Sequence, residues 1–344
     1  NNTITPFIYI NGGINGTINS SSTKREGFIT LEDIYVELLS IHDEKPTTVI
    51  GNEINIVEKE NNLDFTKILF KKNINLIWLT YIFHGIVYFI QCYFAYYIYK
   101  NRIDKLNAIR FLYSYVIINI FISLLMGTGN LHINIVLYLF INLLTTYIIT
   151  AFMADIGIDI IGLFATATYG LILFGIFFYP ELIYNSYIGF NNLFYGARYY
   201  GFNNGIMGVL LATSIISYYF VRDLISNELM KDMVFLLYFL LNMVGLSAKY
   251  GANTGGFITS VILFLAMIYI HLLGRSWNIK NIGILLLAGI LIFSVNMYFD
   301  YLSNEKSHAI NFLIRIKTFG INEFLNMLSI KVRELVKLTV LPPF

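Results

Sequence analysis

The chain has few charged residues and a single cysteine. Only 13% of its 344 residues are charged, whereas ordinary soluble domains contain about 25%. The core of a soluble domain alone cannot bury the 57% of residues that are hydrophobic. The lone Cys92 lies in an apolar stretch, which excludes an internal disulfide or thiolate metal site and predicts a small buried side chain. The formal net charge of +2 gives no reason to expect a nucleic-acid partner.

Motifs of the common catalytic and cofactor-binding classes are also missing. The sequence contains no Walker loop, no Ser/His/Asp set and no Cys/His zinc spacing, so no cofactor or metal site is predicted within the chain. It begins at Asn1 without a recognisable signal peptide. A new apolar run begins at residues 341–344, so we expect the chain to be a piece of a longer protein.

Long apolar stretches dominate residues 76–299. Each has roughly the 17 to 25 residues that a helix needs to cross a bilayer, and short polar stretches separate them. The sequence therefore predicts an all-α polytopic membrane protein, with a transmembrane domain over residues 73–299. About eight helices are expected to cross the membrane, over residues 75–99, 107–126, 133–153, 158–178, 203–221, 232–248, 256–273 and 281–299. Residues 300–344 form an amphipathic tract that favours helices lying in the membrane interface.

Residues 1–72 differ in composition and are expected to form a short α/β segment. Residues 5–10 have the pattern of a short strand, Gly12 and Gly13 predict a turn, and residues 15–22 predict a polar loop. Apolar residues at helical spacing predict a helix over residues 31–41, with Asp33 near its start, where a carboxylate suits the helix dipole. The segment is too short to form a core alone.

Short motifs in this segment resemble the closing part of an alkaline phosphatase superfamily domain. They are Thr5-Pro6-Phe7-Ile8, residues 20–29, Asp33-Ile34, Leu38-Leu39-Ser40-Ile41 and Ile50-Gly51-Asn52. They match a TPxI strand, a threonine–arginine–proline–glycine turn, an aspartate-bearing helix and a GR turn, although Glu26 replaces the proline. The resemblance implies that the metal ligands and the Ser or Thr nucleophile lie upstream, where divalent metal ions would bind. The alternative is an unrelated extracytoplasmic cap.

The basic residues of the short loops predict the orientation. Placing residues 1–72 outside leaves Arg198 and Lys249 as the basic residues of the outer loops. The cytoplasmic loops then contain Lys100, Arg102, Lys105, Arg222, Lys231, Arg275 and Lys280. This positive-inside bias predicts a multi-pass plasma-membrane protein with an extracytoplasmic N-terminal segment. The basic residues of 300–338 fall outside and run against the rule.

Two outer loops combine glycine with asparagine where the chain enters a helix, at residues 196–205 and 249–256. Such loops let backbone N–H groups approach an anion, so they predict a phosphate or diphosphate site. The alternative is a pair of helix-capping turns. The predicted substrate-binding residues are Arg198, Asn203, Asn204, Lys249 and Asn253.

Arg198 is the most specific of these residues, because its guanidinium can hold a phosphate bidentately. The alternative is that it reaches out to lipid phosphate. His308 is predicted as a general acid or base, against the alternative of an ordinary surface histidine. Asp155 and Asp159 form an i, i+4 pair that predicts either a cation site or a solvated helix start.

Residues 196–209 also resemble, at low specificity, the outer loops of the O-antigen ligase and polymerase superfamily. The resemblance implies a glycan on a polyprenyl diphosphate carrier, held by extracytoplasmic arginines. Asn203-Asn204 stands where that family has a proline–asparagine pair.

These patterns favour a protein of a bacterial-type cell envelope that acts on a lipid-linked phosphate or glycan at the outer face of the membrane. Its partners would be membrane lipids and that ligand. It would be a phosphatase or phosphotransferase with its catalytic part upstream, or a glycan transferase. A transporter or flippase is one alternative and would have discontinuous helices and paired charges at the midplane. A non-catalytic anchor is the other, and its outer loops would tolerate change.

Overall fold

A computed structural model describes residues 5–10, 13–44, 51–100, 106–129, 131–156, 158–191, 199–272, 278–302 and 308–340. Within these ranges, seven helices are long and apolar enough to cross a membrane. A small two-stranded sheet accompanies them near the N-terminus. The chain is therefore an all-α polytopic membrane protein, as the sequence predicts.

The helices follow the predicted spans closely. The seven long ones are α2 (Asn62–Tyr99), α3 (Leu106–Met126), α4 (Ile135–Ile156), α5 (Ile160–Phe178), α7 (Asn204–Asp223), α8 (Glu228–Leu246) and α10 (Ile279–Leu302), with the short α6 (Glu181–Tyr184) before α7. The remaining predicted span corresponds to α9 (Thr254–Leu272), whose apolar stretch, Thr254–Ile270, is shorter than the other seven.

Helix α2 begins earlier than hydropathy predicts. Its 38 residues correspond to about 57 Å at the rise of an α-helix, roughly twice the hydrocarbon thickness of a bilayer. The first turns are polar, so a hydropathy window misses them although they continue the same helix. Cys92 on α2 is exposed, so the prediction of a buried side chain is wrong. Little of α2 is buried in the protein, and the side of such a helix that faces lipid is apolar as well. An apolar stretch therefore does not show on which side of the helix Cys92 lies.

Helix α5 lies at the centre of the bundle and packs against α3, α7 and α8. More than half of its most apolar window, 56%, is buried inside the protein. Gly162 permits the close approach of α7, since a Cβ there would collide with the ring of Phe220. Small residues at helix contacts serve the same purpose in other membrane bundles.

Residues 265–344 form a second compact unit, separate from residues 1–264. The predicted amphipathic tract is helical there, as α11 (His308–Phe319) and α12 (Ile321–Val340). Gly320 separates the two helices with a φ of +84°, a conformation that favours glycine. Their position at a membrane interface stays a prediction.

The N-terminal segment contains two strands that the sequence did not predict. Strand β1 (Gly16–Ser20) pairs antiparallel with β2 (Ile54–Glu58), with Gly16 opposite Glu58. The predicted polar loop at residues 15–22 is thus largely a strand, and residues 5–10, predicted as a strand, have no regular structure. An alternating apolar pattern leads to a strand only where another strand can pair with it. For β1 that partner is β2, which lies far along the chain.

Helix α1 (Leu31–Ile41) has its predicted bounds, and Asp33 connects it to two other parts of the segment. The Asp33 carboxylate accepts from the Thr30 backbone N–H at 2.7 Å, from the Asn52 N–H at 2.9 Å and from the Ser22 hydroxyl. Thr30 completes a capping box by accepting from the Asp33 N–H. The carboxylate therefore joins the turn after β1, the start of α1 and the chain leading to β2.

Candidate functional site

The N-terminal segment and several interhelical loops meet at one end of the helical bundle. We call this the capped end, formed by residues 13–44, 51–73, 179–191, 199–203 and 247–253. Lys24 Nζ lies 4.6 Å from the centre of the Tyr200 ring. The Phe202 N–H donates to the Gly251 carbonyl at 2.6 Å. Both predicted glycine–asparagine loops therefore lie at the same end as the N-terminal segment.

Gly201 fixes the conformation where these loops touch. Its φ of +75° lies in the left-handed region, and a Cβ at this position would collide with the Gly251 carbonyl. Its N–H donates to the Tyr184 hydroxyl at 3.0 Å. Only glycine fits both the conformation and the close approach.

Asn203 and Asn253 act as helix caps. The Asn203 Oδ1 accepts from the Ile206 N–H at 2.8 Å, and its Nδ2 donates to the Phe190 carbonyl at 2.8 Å. The Asn253 Oδ1 accepts from the Gly256 N–H at 2.8 Å, and its Nδ2 donates to the Phe202 carbonyl. Both amides are occupied by bonds within the protein, as the capping alternative predicts. A contact with a ligand stays a prediction.

The other predicted residues are dispersed. Asn204 is exposed at the first turn of α7, and Lys249 is exposed with its Nζ 5.4 Å from the centre of the Tyr250 ring. Arg198 lies outside the described residues. His308 begins α11 in the second unit, and its side chain is likewise outside the described part. Asp159 caps α5 by accepting from the Gly162 N–H, which agrees with the helix-start alternative.

Two buried cations at the capped end were not predicted from the sequence. Arg25 and Lys72 are each 8% exposed. The Arg25 guanidinium lies over the rings of Tyr184 at 5.3 Å and Phe28 at 5.6 Å. Their neighbours in sequence, Lys24 and Lys71, are exposed, so residue type alone could not distinguish the buried cation from the solvated one.

The charge of one carboxylate, Glu181, acts on both cations. Glu181 is exposed at the start of α6. Burial lowers the pKa of Arg25, and the charge of Glu181 opposes that change. Within the described ranges, no ion pair shorter than 4.0 Å joins Glu181 to either cation. Burial also raises the pKa of Tyr184, so that its phenol stays neutral.

Polar atoms of Arg25 and of two asparagines lack partners. Arg25 Nη1, Asn73 Oδ1 and Asn185 Oδ1 are buried and have no hydrogen-bond partner among the described residues. Asn185 faces Glu181, since its Nδ2 donates to Glu181 Oε2 at 3.1 Å. Buried polar atoms are normally paired. One donor and two acceptors are therefore unsatisfied among the described residues.

An apolar groove of about 440 Å³ lies elsewhere in the bundle, among α2, α3 and α4. Ile90, Tyr115 and Tyr147 contribute to its walls. Ile90 follows Lys72 by 18 residues on one helix, which corresponds to about 27 Å. The groove is therefore well separated from the capped end.

Comparison with protein-family models, with curated proteins and with solved structures found no match.

Proposed function

We propose that the protein is the membrane-embedded part of a cell-envelope protein that binds a lipid-linked phosphate or glycan at the extracytoplasmic face. The observation that supports this most is the pair of cations buried at the capped end, Arg25 and Lys72. Anionic head groups are attracted to cations placed where a helix leaves the membrane. This buried pair of cations favours an anionic head group over a neutral one.

The chemistry that follows binding is proposed from the sequence resemblances. A phosphatase or phosphotransferase would use a catalytic domain upstream of residue 1, with its divalent metal ions there. A glycan transferase would use the capped end itself. The continuous helices α2–α5, α7 and α8 favour either enzyme over a transporter, whose substrate-binding helices are typically interrupted.

The proposal requires the capped end to face outward. In a protein with Cys92→Ser, we expect single cysteines at Glu60 and Lys249 to react with a membrane-impermeant maleimide in intact cells. A cysteine at Ser226, which is exposed between α7 and α8, is the matched control and should react only after the membrane is opened. Labelling of position 226 alone in intact cells would place the capped end inside and contradict the proposal.

Binding of a polyprenyl phosphate tests the function itself. With the protein in lipid nanodiscs, we expect the phosphate to bind at least tenfold more tightly than the corresponding polyprenol, a difference of about 1.4 kcal/mol. The polyprenyl chain is the same in both lipids, so only the head group contributes to the difference in affinity. Equal affinities would show that the head group is not recognised.

A further inference from the structure

Arg25 and Lys72 are more deeply buried than an unpaired cation normally is. Each is over nine-tenths buried, while Glu181, the carboxylate whose charge acts on both, is exposed and makes no ion pair with either within the described residues. Removing a cation from water is costly unless a counter-charge and hydrogen bonds replace its hydration. An anion bound beside them would therefore add to the counter-charge that Glu181 supplies.

The surroundings fix the guanidinium of Arg25 and leave one of its nitrogens without a partner. The rings of Phe28 and Tyr184 lie within 6 Å of its central carbon, a distance at which an arginine interacts with aromatic faces. Arg25 Nη1 remains without a partner among the described residues. An arginine held in this way presents donors that match phosphate oxygens.

The unpaired acceptors narrow the class of ligand. Asn185 Oδ1, beside Glu181, and Asn73 Oδ1, next in sequence to Lys72, are buried acceptors that need donors. Inorganic phosphate has hydroxyl groups only on the phosphorus atom itself, next to the cations. A glycosyl phosphate supplies phosphate oxygens for the cations and hydroxyl donors for the amides.

We propose that Arg25 and Lys72 form a binding site for the phosphate group of a glycosyl phosphate. That the glycosyl phosphate is lipid-linked rests on the proposed function, whereas the phosphate site itself does not. The N-terminal segment contributes Arg25 and the first turns of α2 contribute Lys72, so docking of the segment onto the helix completes the site.

Lys72→Met tests the site in the full-length protein, with inorganic phosphate as the probe. Methionine fills a similar volume without the charge. We expect the ligand-free variant to unfold at a higher temperature than the wild type, because an unpaired buried cation has been removed. Phosphate should raise the unfolding temperature of the wild type, relative to chloride at equal ionic strength, and should not raise that of Lys72→Met. Lys71→Met is the matched control and should keep the full response.

Arg25→Met should also lose the phosphate response, and Lys72→Arg should retain it because the charge is kept. Lys72→Arg and Arg25→Met keep the test decisive if Lys72→Met does not fold. Equal phosphate responses in Lys72→Met and Lys71→Met would overturn the proposal. So would a lower unfolding temperature in Lys72→Met together with an unchanged phosphate affinity.

Polyprenyl phosphate separates this inference from the proposed function. At least tenfold weaker binding of the lipid to Lys72→Met, with Lys71→Met unchanged, would support both. If Lys72→Met loses the response to inorganic phosphate but binds the lipid as the wild type does, the lipid-linked assignment would be overturned and the proposed function would stand. A wild type that responds to inorganic phosphate but binds polyprenol and its phosphate equally would overturn the proposed function and leave the phosphate site.

Discussion

Asp33→Ala is expected to unfold residues 13–58 while the transmembrane helices remain folded. The carboxylate is fully buried and accepts from Thr30, Asn52 and Ser22. The buried Thr30 N–H would lose its acceptor at a cost of about 1–3 kcal/mol. Ser22 and Asn52 would each lose a bond as well, and a two-stranded sheet has little stability of its own. The combined loss therefore exceeds what this small segment can tolerate.

Hydrogen exchange measures that outcome directly. Amides of residues 13–58 should exchange rapidly in Asp33→Ala, with those of α5 and α7 still protected. Glu32→Ala is the matched control, because Glu32 is exposed in the same helical turn, and its exchange should resemble that of the wild type. Continued protection of residues 13–44 and 51–58 in Asp33→Ala would show that the hydrogen bonds of Asp33 do not hold the segment together.

Substitution by leucine should change the free energy of unfolding differently at two buried asparagines in the transmembrane helices. Asn142 accepts from Asn119 at 2.6 Å and donates to the Ser123 hydroxyl at 3.1 Å. Asn242 is equally buried, yet neither of its amide atoms has a hydrogen-bond partner among the described residues. Leucine has a similar volume and no polar atoms. It should therefore break a network at position 142 and remove an unsatisfied group at position 242.

We expect Asn142→Leu to lower the free energy of unfolding by about 1–3 kcal/mol, whereas Asn242→Leu should leave it unchanged or raise it. Reversible unfolding in mixed detergent micelles measures both variants under the same conditions. A loss at position 242 as large as that at position 142 would show that Asn242 has a partner that supports the fold.

Features encoded by local sequence were predicted well. Apart from the early start of α2, the bounds of the long helices follow hydropathy. Those of α1 follow its apolar spacing and the acidic residue at its start. The capping alternative for Asn203 and Asn253 also came from local sequence, since asparagine before a helix satisfies N–H groups of the first turn.

Features that depend on distant contacts were not predicted. Strand β1 needs β2, which lies more than thirty residues further along the chain. Lys72 differs from Lys71 only in the side of α2 that it occupies, and the packing of that side depends on the fold of the whole unit. The same reason explains why Arg25 was passed over and why Cys92 was assigned to the interior.

Photocrosslinking tests most directly the claim that the capped end binds the head group. A polyprenyl phosphate with a photoreactive group beside its phosphate would be bound to the wild type in nanodiscs, and the crosslinked peptides identified by mass spectrometry. The account predicts crosslinks within residues 20–28, 69–73 and 181–185. Crosslinks confined to the apolar groove around Ile90, Tyr115 and Tyr147 would contradict it.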